Sequence, residues 1–296
     1  MRVFVTGASG FIGSAVVPEL LGAGHEVLGL ARSDASARTL EQAGAAVQRG
    51  DLEDLDSLRA GAAASDGVVH LAFIHDFTQY TRSTEVDQRA IEAMGAELKG
   101  SGRPLVIASG TPVGFGRPGT EKDRPAPGSP RSASAQTTLD LAEQGVRSVV
   151  LRLSPSVHDL DRAGFATSLV ETARAKGVSA YVGDGANRWN AVHRLDAARL
   201  FRLAVENAPA GSVLHGVGEE GVRLRDIAQV IADGLGVPTT SISAEDAAGH
   251  FGFLGPFAAL DIPASNDLTR ELMSWQPTGP TLLEDLAQGS HFAPKG

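Results

Sequence analysis

The clearest chemistry in the chain stands at its start. Thr6-Gly7-Ala8-Ser9-Gly10-Phe11-Ile12-Gly13 sets three glycines at equal spacing directly after the apolar run Val3-Phe4-Val5. Gly7 suits a turn closed to most side chains. Gly10 lets the backbone approach a pyrophosphate, and Gly13 lets the following helix pack closely on the strand. Ser9, Phe11 and Ile12 then belong to a helix N-terminus, whose free N–H groups and positive potential favour a phosphate. The spacing is G-x-x-G-x-x-G rather than G-x-G-x-x-G. Three glycines alone also describe a tight turn that binds nothing. Their place at the end of the first strand of a βαβ unit is what argues for a dinucleotide.

The end of the second strand, Leu28-Gly29-Leu30-Ala31-Arg32-Ser33-Asp34, addresses which dinucleotide. NAD-binding chains usually place an acid about 20 residues past the turn, on the ribose 2′-OH. Arg32 and Ser33 occupy that place here. A guanidinium and a hydroxyl suit a 2′-phosphate, so NADP is the expected cofactor, with NAD kept open because Asp34 could reach a ribose.

These residues need rigid elements behind them. Strand-like runs at Val3–Thr6, Glu26–Leu30, Val47–Arg49, Gly67–Leu71, Leu105–Ser109 and Ser148–Leu153 alternate with helical patterns near Phe11–Leu21, Asp34–Ala43, Leu55–Gly61, Thr84–Leu98 and Ser134–Glu143. That alternation predicts an α/β fold, a Rossmann-type doubly wound parallel sheet. Gly114–Ser132 reads as a long surface loop. Helices near Phe165–Lys176, Leu195–Asn207, Leu224–Leu235 and Ala244–His250 should supply most of a smaller, mainly C-terminal substrate-binding cap. The expected division is an NADP-binding part over residues 1–155, with a segment at about 188–215 returning to it. The cap then takes about 156–187 and 216–296. Tyr181-Val182-Gly183-Asp184-Gly185 reads as a hairpin or tight turn in that cap.

Bulk properties narrow the function classes. The 296 residues are 42% hydrophobic and 21% charged, a globular balance rather than a disordered one. A formal charge of −9 argues against nucleic acid, which needs clustered Lys and Arg. With no cysteine, thiolate zinc sites and cysteine nucleophiles are excluded, and the 8 histidines show no metal-ligand spacing. No apolar run approaches membrane-spanning length and no leader-like run precedes Val3, so the expectation is a cytoplasmic protein without a membrane partner.

Taken together, these residues resemble the extended short-chain dehydrogenase/reductase superfamily, in its NAD(P)-dependent epimerase/dehydratase-like branch. The resemblance spans nearly the whole chain. Beside the glycine turn it rests on Gly50-Asp51-Leu52, His70-Leu71-Ala72-Phe73, Ser109 and Val192-His193-Arg194-Leu195-Asp196-Ala197-Ala198. It implies that Asp51 and the Leu52 amide hold adenine, that Leu71, Ala72 and Phe73 pass the adenosine ribose, that Pro155 adjoins the cofactor and that Ser109 is catalytic. The departure is equally plain. The superfamily normally carries Tyr-x-x-x-Lys about two dozen residues past the serine, yet no tyrosine lies between Tyr80 and Tyr181. Arg131 falls near the lysine's place and Pro127 near the tyrosine's.

The proton donor is therefore open. Ser109 can hydrogen-bond a carbonyl or imine, and Arg131 can supply fixed charge but no proton. His75, at the mouth of the cleft, titrates in a useful range. His158 and His193 are expected near the substrate, as is Tyr181, and Tyr80 is the other phenol of the chain. An NADP-dependent oxidoreductase acting on a small carbonyl, alcohol, C=N or C=C compound leads. A nucleotide-sugar-type epimerase or dehydratase and a non-catalytic NADP-binding sensor or scaffold are the alternatives. A homodimer through Thr84–Leu98 and Ser134–Glu143 would use Ile91, Met94, Leu139 and Leu141 as exposed apolar positions, with core packing the simpler use for them.

Overall fold

A computed structural model describes residues 1–76, 79–111, 116–124 and 131–293. The first half runs β1 (Arg2–Thr6), α1 (Gly13–Gly22), β2 (Glu26–Ala31), α2 (Asp34–Gln42), β3 (Ala46–Arg49), α3 (Leu55–Ala63), β4 (Gly67–His70), α4 (Tyr80–Leu98), β5 (Pro104–Gly110), α5 (Ser132–Asp140) and β6 (Arg147–Leu153). Then follow β7 (Ser156–His158), α6 (Phe165–Lys176), β8 (Ser179–Val182), β9 (Arg188–His193), α7 (Arg194–Asn207), β10 (Ser212–Gly216), β11 (Glu219–Arg223), α8 (Leu224–Leu235) and β12 (Thr239–Ile242). Four short helices close the sequence: α9 (Ala247–Phe251), α10 (Gly255–Ala258), α11 (Asp267–Met273) and α12 (Leu282–Gln288).

The order β10-β6-β5-β4-β1-β2-β3 makes a 7-stranded sheet in which each neighbouring pair is parallel. Val3 and Val5 join an apolar cluster with α1, α2 and α7, while Phe4 between them joins the opposite cluster with α3, α4 and α5. A strand with apolar side chains on both faces must be covered on both, which is why β1 reads as an unbroken apolar run. Burying one such Val or Phe side chain is worth about 1.5–3 kcal/mol. The predicted doubly wound α/β class holds. Strand order reverses between β1 and β4, and the crevice outside their carboxyl ends is where such sheets receive ligands.

The C-terminal elements add a 3-stranded sheet, β11-β9-β7, a 2-stranded one, β12-β8, and a separate apolar cluster that includes Trp189 and Ile227. Because β8 pairs with β12 and not with β9, Tyr181–Gly185 is a tight turn and not a hairpin. Among the described residues no helix is long and apolar enough to cross a membrane.

Three expectations change. Leu195–Asn207, expected among the cap helices though inside the segment returning to the main part, lies in α7, which packs on α1 and β5 with Ala197, Phe201 and Val205 in the main core. Ile91, Met94 and Leu141 are buried and Leu139 partly so, because α4 and α5 cover each other within one chain. These four positions therefore offer no exposed apolar face to a second copy. Of Gly114–Ser132, the described residues 116–124 are docked and not merely superficial. Glu121 is buried, and its Oε1 accepts from the Thr269 N–H at 2.8 Å and hydroxyl at 2.7 Å. A buried carboxylate needs such donors, and α11 supplies them.

Candidate functional site

The phosphate turn has the geometry its glycines require. Gly7 has φ +66°, and a Cβ there would meet the Ala72 backbone nitrogen at 2.7 Å. A Cβ on Gly13 would lie 2.1 Å from the Gly7 carbonyl oxygen. The two positions thus press α1, the turn and the end of β4 together. The Gly10 N–H donates to the Gly7 carbonyl at 2.9 Å. No side chain caps α1 at Ile12, and the Phe11 and Ile12 amides are open to an outside acceptor, while the Ser14 N–H already donates to the Gly10 carbonyl at 2.8 Å. Ser9 is half-buried beside the exposed Gly10. This cradle, which one added methyl would fill, fits the pyrophosphate of a nicotinamide dinucleotide.

At the end of β2, Arg32 is exposed and Ser33 caps α2: its hydroxyl accepts from the Ser36 N–H at 3.2 Å, and the Ser36 hydroxyl accepts from the Ser33 N–H at 3.1 Å. Asp34, the rival ribose ligand, is held by Arg49 at 2.6 Å. Beyond β3, Asp51 is exposed while Leu52 is buried. One Asp51 oxygen accepts from the Glu53 and Asp54 N–H groups at 2.8 and 3.0 Å, which fixes the carboxylate's orientation.

The end of β4 carries a buried polar chain. The Ala72 N–H donates to Thr6 Oγ1 at 3.2 Å, so the Thr6 hydroxyl hydrogen is free to reach His70 Nδ1 at 2.7 Å. His70 Nε2–H then donates to Asp87 Oδ1 at 3.2 Å. The same oxygen stands 3.4 Å from Arg131 Nη2. Burial alone would raise the Asp87 carboxyl, but the His70 hydrogen bond and the Arg131 charge outweigh it and hold the group below the usual carboxylate range.

Arg131 closes this chain onto β5. It is the residue preceding α5, in a left-handed conformation at φ 60°. Its Nη2 donates to the Ala108 carbonyl at 2.6 Å, next to the half-buried Ser109, and its guanidinium lies 4.5 Å from the centre of the Phe73 ring. Phe73 in turn meets Tyr80 at 5.9 Å and His75 at 5.4 Å between ring centres. Ser109, Arg131, Phe73, His75 and Tyr80 therefore share one neighbourhood at the carboxyl end of the sheet. Burial pushes the Tyr80 phenol above its ordinary value, with Arg131 opposing and Asp87 adding to the shift. Burial and then the Arg131 charge hold the His75 imidazole below its ordinary value, against a hydrogen bond with the Phe73 backbone.

The remaining expected residues gather elsewhere. The Pro155 carbonyl accepts the Phe165 N–H at 3.1 Å, tying the end of β6 to α6. His158 is fully buried, its Nδ1 2.7 Å from Asp285 Oδ2, and His193 Nε2 lies 3.7 Å from the same oxygen. His193 also precedes α7, where its Nδ1 accepts the Leu195 N–H at 3.4 Å. Burial, against the Asp285 hydrogen bond, holds His158 below its ordinary value. Tyr181 sits on β8, which pairs with β12 and packs on α6 and α8, its ring against Gly185. Among the described contacts none of these three joins the Ser109 neighbourhood. Pro127, the place where the family's tyrosine falls, lies outside the described residues.

Sequence reasoning passed over Asp87 and the side chain of His70. Asp87 stood in plain view on the stripe Ser83, Val86, Asp87, Ala90, Ile91 and Met94, where a carboxylate among buried helix positions signals a paired charge. Arg162 and Arg194 were also missed. Their guanidiniums lie 5.1 and 4.9 Å from the centre of the Phe11 ring, at the phosphate turn.

Comparison with known proteins supports the family and the fold. The family described as NAD dependent epimerase/dehydratase matches residues 3–215. The uncharacterized protein C2A9.02 of Schizosaccharomyces pombe is 49% identical over 295 residues, 99% of this chain and 100% of that one. A 4-hydroxy-2-methyl-3-oxo-4-farnesyl-3,4-dihydroquinoline-1-oxide ketoreductase of Stigmatella aurantiaca is 25% identical over 272 residues, 85% of this chain and 80% of that one. The UDP-glucose 4-epimerase of Thermus thermophilus, solved in complex with NAD, shares the fold with a TM-score of 0.75 at 22% identity, over 99% of each chain.

Proposed function

The chain belongs to the NAD dependent epimerase/dehydratase family, and from that premise we propose that it is an NADP-dependent oxidoreductase of small carbonyl compounds whose proton donor is Tyr80. The observation that carries this reading is the shared seat of Tyr80 and Arg131 on the Phe73 ring, at 5.9 and 4.5 Å, beside the strand that bears Ser109. A phenol next to a fixed cation is the pairing that the missing Tyr-x-x-x-Lys would have provided. Here the phenol comes from the start of α4 and the cation from the residue before α5.

When bound at the glycine turn, reduced nicotinamide dinucleotide would supply the hydride for the carbonyl carbon. Ser109 donates a hydrogen bond to the carbonyl oxygen, and Tyr80 gives that oxygen its proton, so C=O becomes CH–OH. Arg131 stabilises the phenolate left behind, which regains a proton from water. Burial that keeps Tyr80 protonated suits an acid better than the base an epimerase needs. His75, whose imidazole is held below its ordinary value, is not assigned the acid's role in this arrangement. The ketoreductase among the relatives favours carbonyl reduction. For the cofactor, the exposed Arg32 and the engagement of Asp34 by Arg49 favour a 2′-phosphate over a bare ribose hydroxyl.

A panel of small aldehydes, ketones, imines and activated alkenes, assayed by loss of NADPH absorbance, tests the reading. Tyr80→Phe should lower kcat about 100-fold, the usual size for losing a general acid, with NADPH affinity unchanged. Tyr181→Phe should leave kcat as it was. Equal activity of the wild type and Tyr80→Phe would remove Tyr80 from the chemistry. Tight NADPH binding with no turnover of any compound would favour a sensor.

A further inference from the structure

Arg162 lies on a turn that the chain fastens at several points. Asp159 Oδ1 accepts the N–H groups of Asp161 and Arg162, each at 2.9 Å, and the Asp159 N–H donates to the Arg162 carbonyl at 2.8 Å. The other Asp159 oxygen pairs with Arg194 Nε at 2.9 Å, and Arg194 Nη1 reaches the Phe11 carbonyl at 3.4 Å. The turn is thereby tied to the start of α1. Two guanidiniums then share one ring: Arg194 lies 4.9 Å and Arg162 5.1 Å from the centre of Phe11. Their charges are not equivalent. Asp159 neutralises Arg194, whereas among the described residues no carboxylate stands within ion-pair distance of the exposed Arg162. Arg162 thus lies over Phe11, directly beside the phosphate turn.

We propose that Arg162 is a cofactor-binding residue which reaches the pyrophosphate of the dinucleotide from its seat on Phe11 beside the glycine turn. The juxtaposition of an uncompensated guanidinium with uncapped amides of α1 defines a site for a diphosphate-sized anion. Arg194, its charge matched by Asp159, holds Phe11 as the platform on which Arg162 rests, and Asp159 sets the turn. The cation comes from beyond β7, so a bound dinucleotide ties the C-terminal elements to the main sheet. This inference rests on the dinucleotide reading above and adds a ligand to it from outside the glycine motif.

Fluorescence titrations of the wild type, Arg162→Gln and Arg32→Ala with NADPH, NADH and 2′-AMP, at low and high salt, test it. Arg162→Gln should weaken NADPH and NADH alike, by about 10-fold, which is the 1.4 kcal/mol of one charge-assisted contact. It should leave 2′-AMP, which has no pyrophosphate, unaffected. The salt dependence of NADPH binding should also become shallower in that variant. Unchanged affinity for both dinucleotides in Arg162→Gln, with normal binding by the wild type, overturns the role of Arg162 while leaving the cofactor reading standing. Failure of the wild type to bind either dinucleotide overturns both.

Discussion

Asp87 on α4 stands 3.4 Å from the guanidinium of Arg131, the residue just before α5, and the same carboxylate oxygen takes the His70 ring nitrogen at 3.2 Å. One buried acid thus locks two cationic or polar groups that lie on different elements. It fixes where Arg131 can reach, and so where the Phe73 face is positively covered. Removing one partner of a buried pair leaves the other without compensation. Asp87→Ala should therefore destabilise the fold by about 3 kcal/mol in urea unfolding. A loss below about 1 kcal/mol, the range of an exposed pair, would show that the pair is not coupled to the fold.

The pH dependence of stability follows from the same carboxyl. Its folded value lies below the ordinary range, so its contribution is complete above the unfolded value and is lost as pH falls through the folded one. Urea midpoints measured from neutral pH down into the acid range should decline more steeply in the wild type than in Asp87→Ala. Parallel declines would assign the acid sensitivity to other groups.

His75 carries the opposite proton logic. Desolvation and the Arg131 charge lower its folded value. Nuclear magnetic resonance titration of the imidazole signals, with His75→Gln to identify the one that disappears, should place that signal's midpoint below the ordinary value of about 6.5. In Arg131→Met the midpoint should rise. A midpoint at or above the ordinary value would make His75 a plausible acid and weaken the assignment to Tyr80.

Two glycines of the first helix should part company on substitution. In Gly13→Ala the new Cβ would stand 2.1 Å from the Gly7 carbonyl oxygen, so the turn must open and dinucleotide binding should be lost. At Gly22, by contrast, nothing lies within 4 Å and the residue is exposed at the end of α1. Gly22→Ala should keep binding and add up to about 1 kcal/mol of stability through helix propensity. Normal nucleotide affinity in Gly13→Ala would contradict the tight approach of α1 to the turn.

What could be read along the chain was what the chain decides locally. The glycine turn is contained within Gly7–Gly13, and β1 to β6 show in their own local patterns, so these were legible before any packing was known. By contrast β10, Ser212–Gly216, is absent from the strands expected of the sequence and joins the sheet only by pairing with β6. The site was only half legible. Arg131 emerges from the family resemblance, as the residue near the lysine's place, but its partner Asp87 lies 44 residues away and becomes its neighbour only because α4 and α5 pack side by side. Ser33 was legible as a hydroxyl in the right place, while its use as the cap of α2 depends on Ser36 three residues on. Ile91, Met94 and Leu141 share an apolar stripe that suits an interface or a core equally, and only the packing of α4 on α5 chooses the core. Arg162 and Arg194 reach Phe11 from far along the chain, and no local pattern announces that meeting.

The most direct test of the central claim is the affinity of the protein for NADPH against NADH, with Arg32→Ala measured beside the wild type by nicotinamide fluorescence. Tighter binding of NADPH by the wild type, with that preference lost in Arg32→Ala while NADH affinity is unchanged, is the expected result. Equal affinity for the two dinucleotides, unmoved by the substitution, would contradict the NADP assignment.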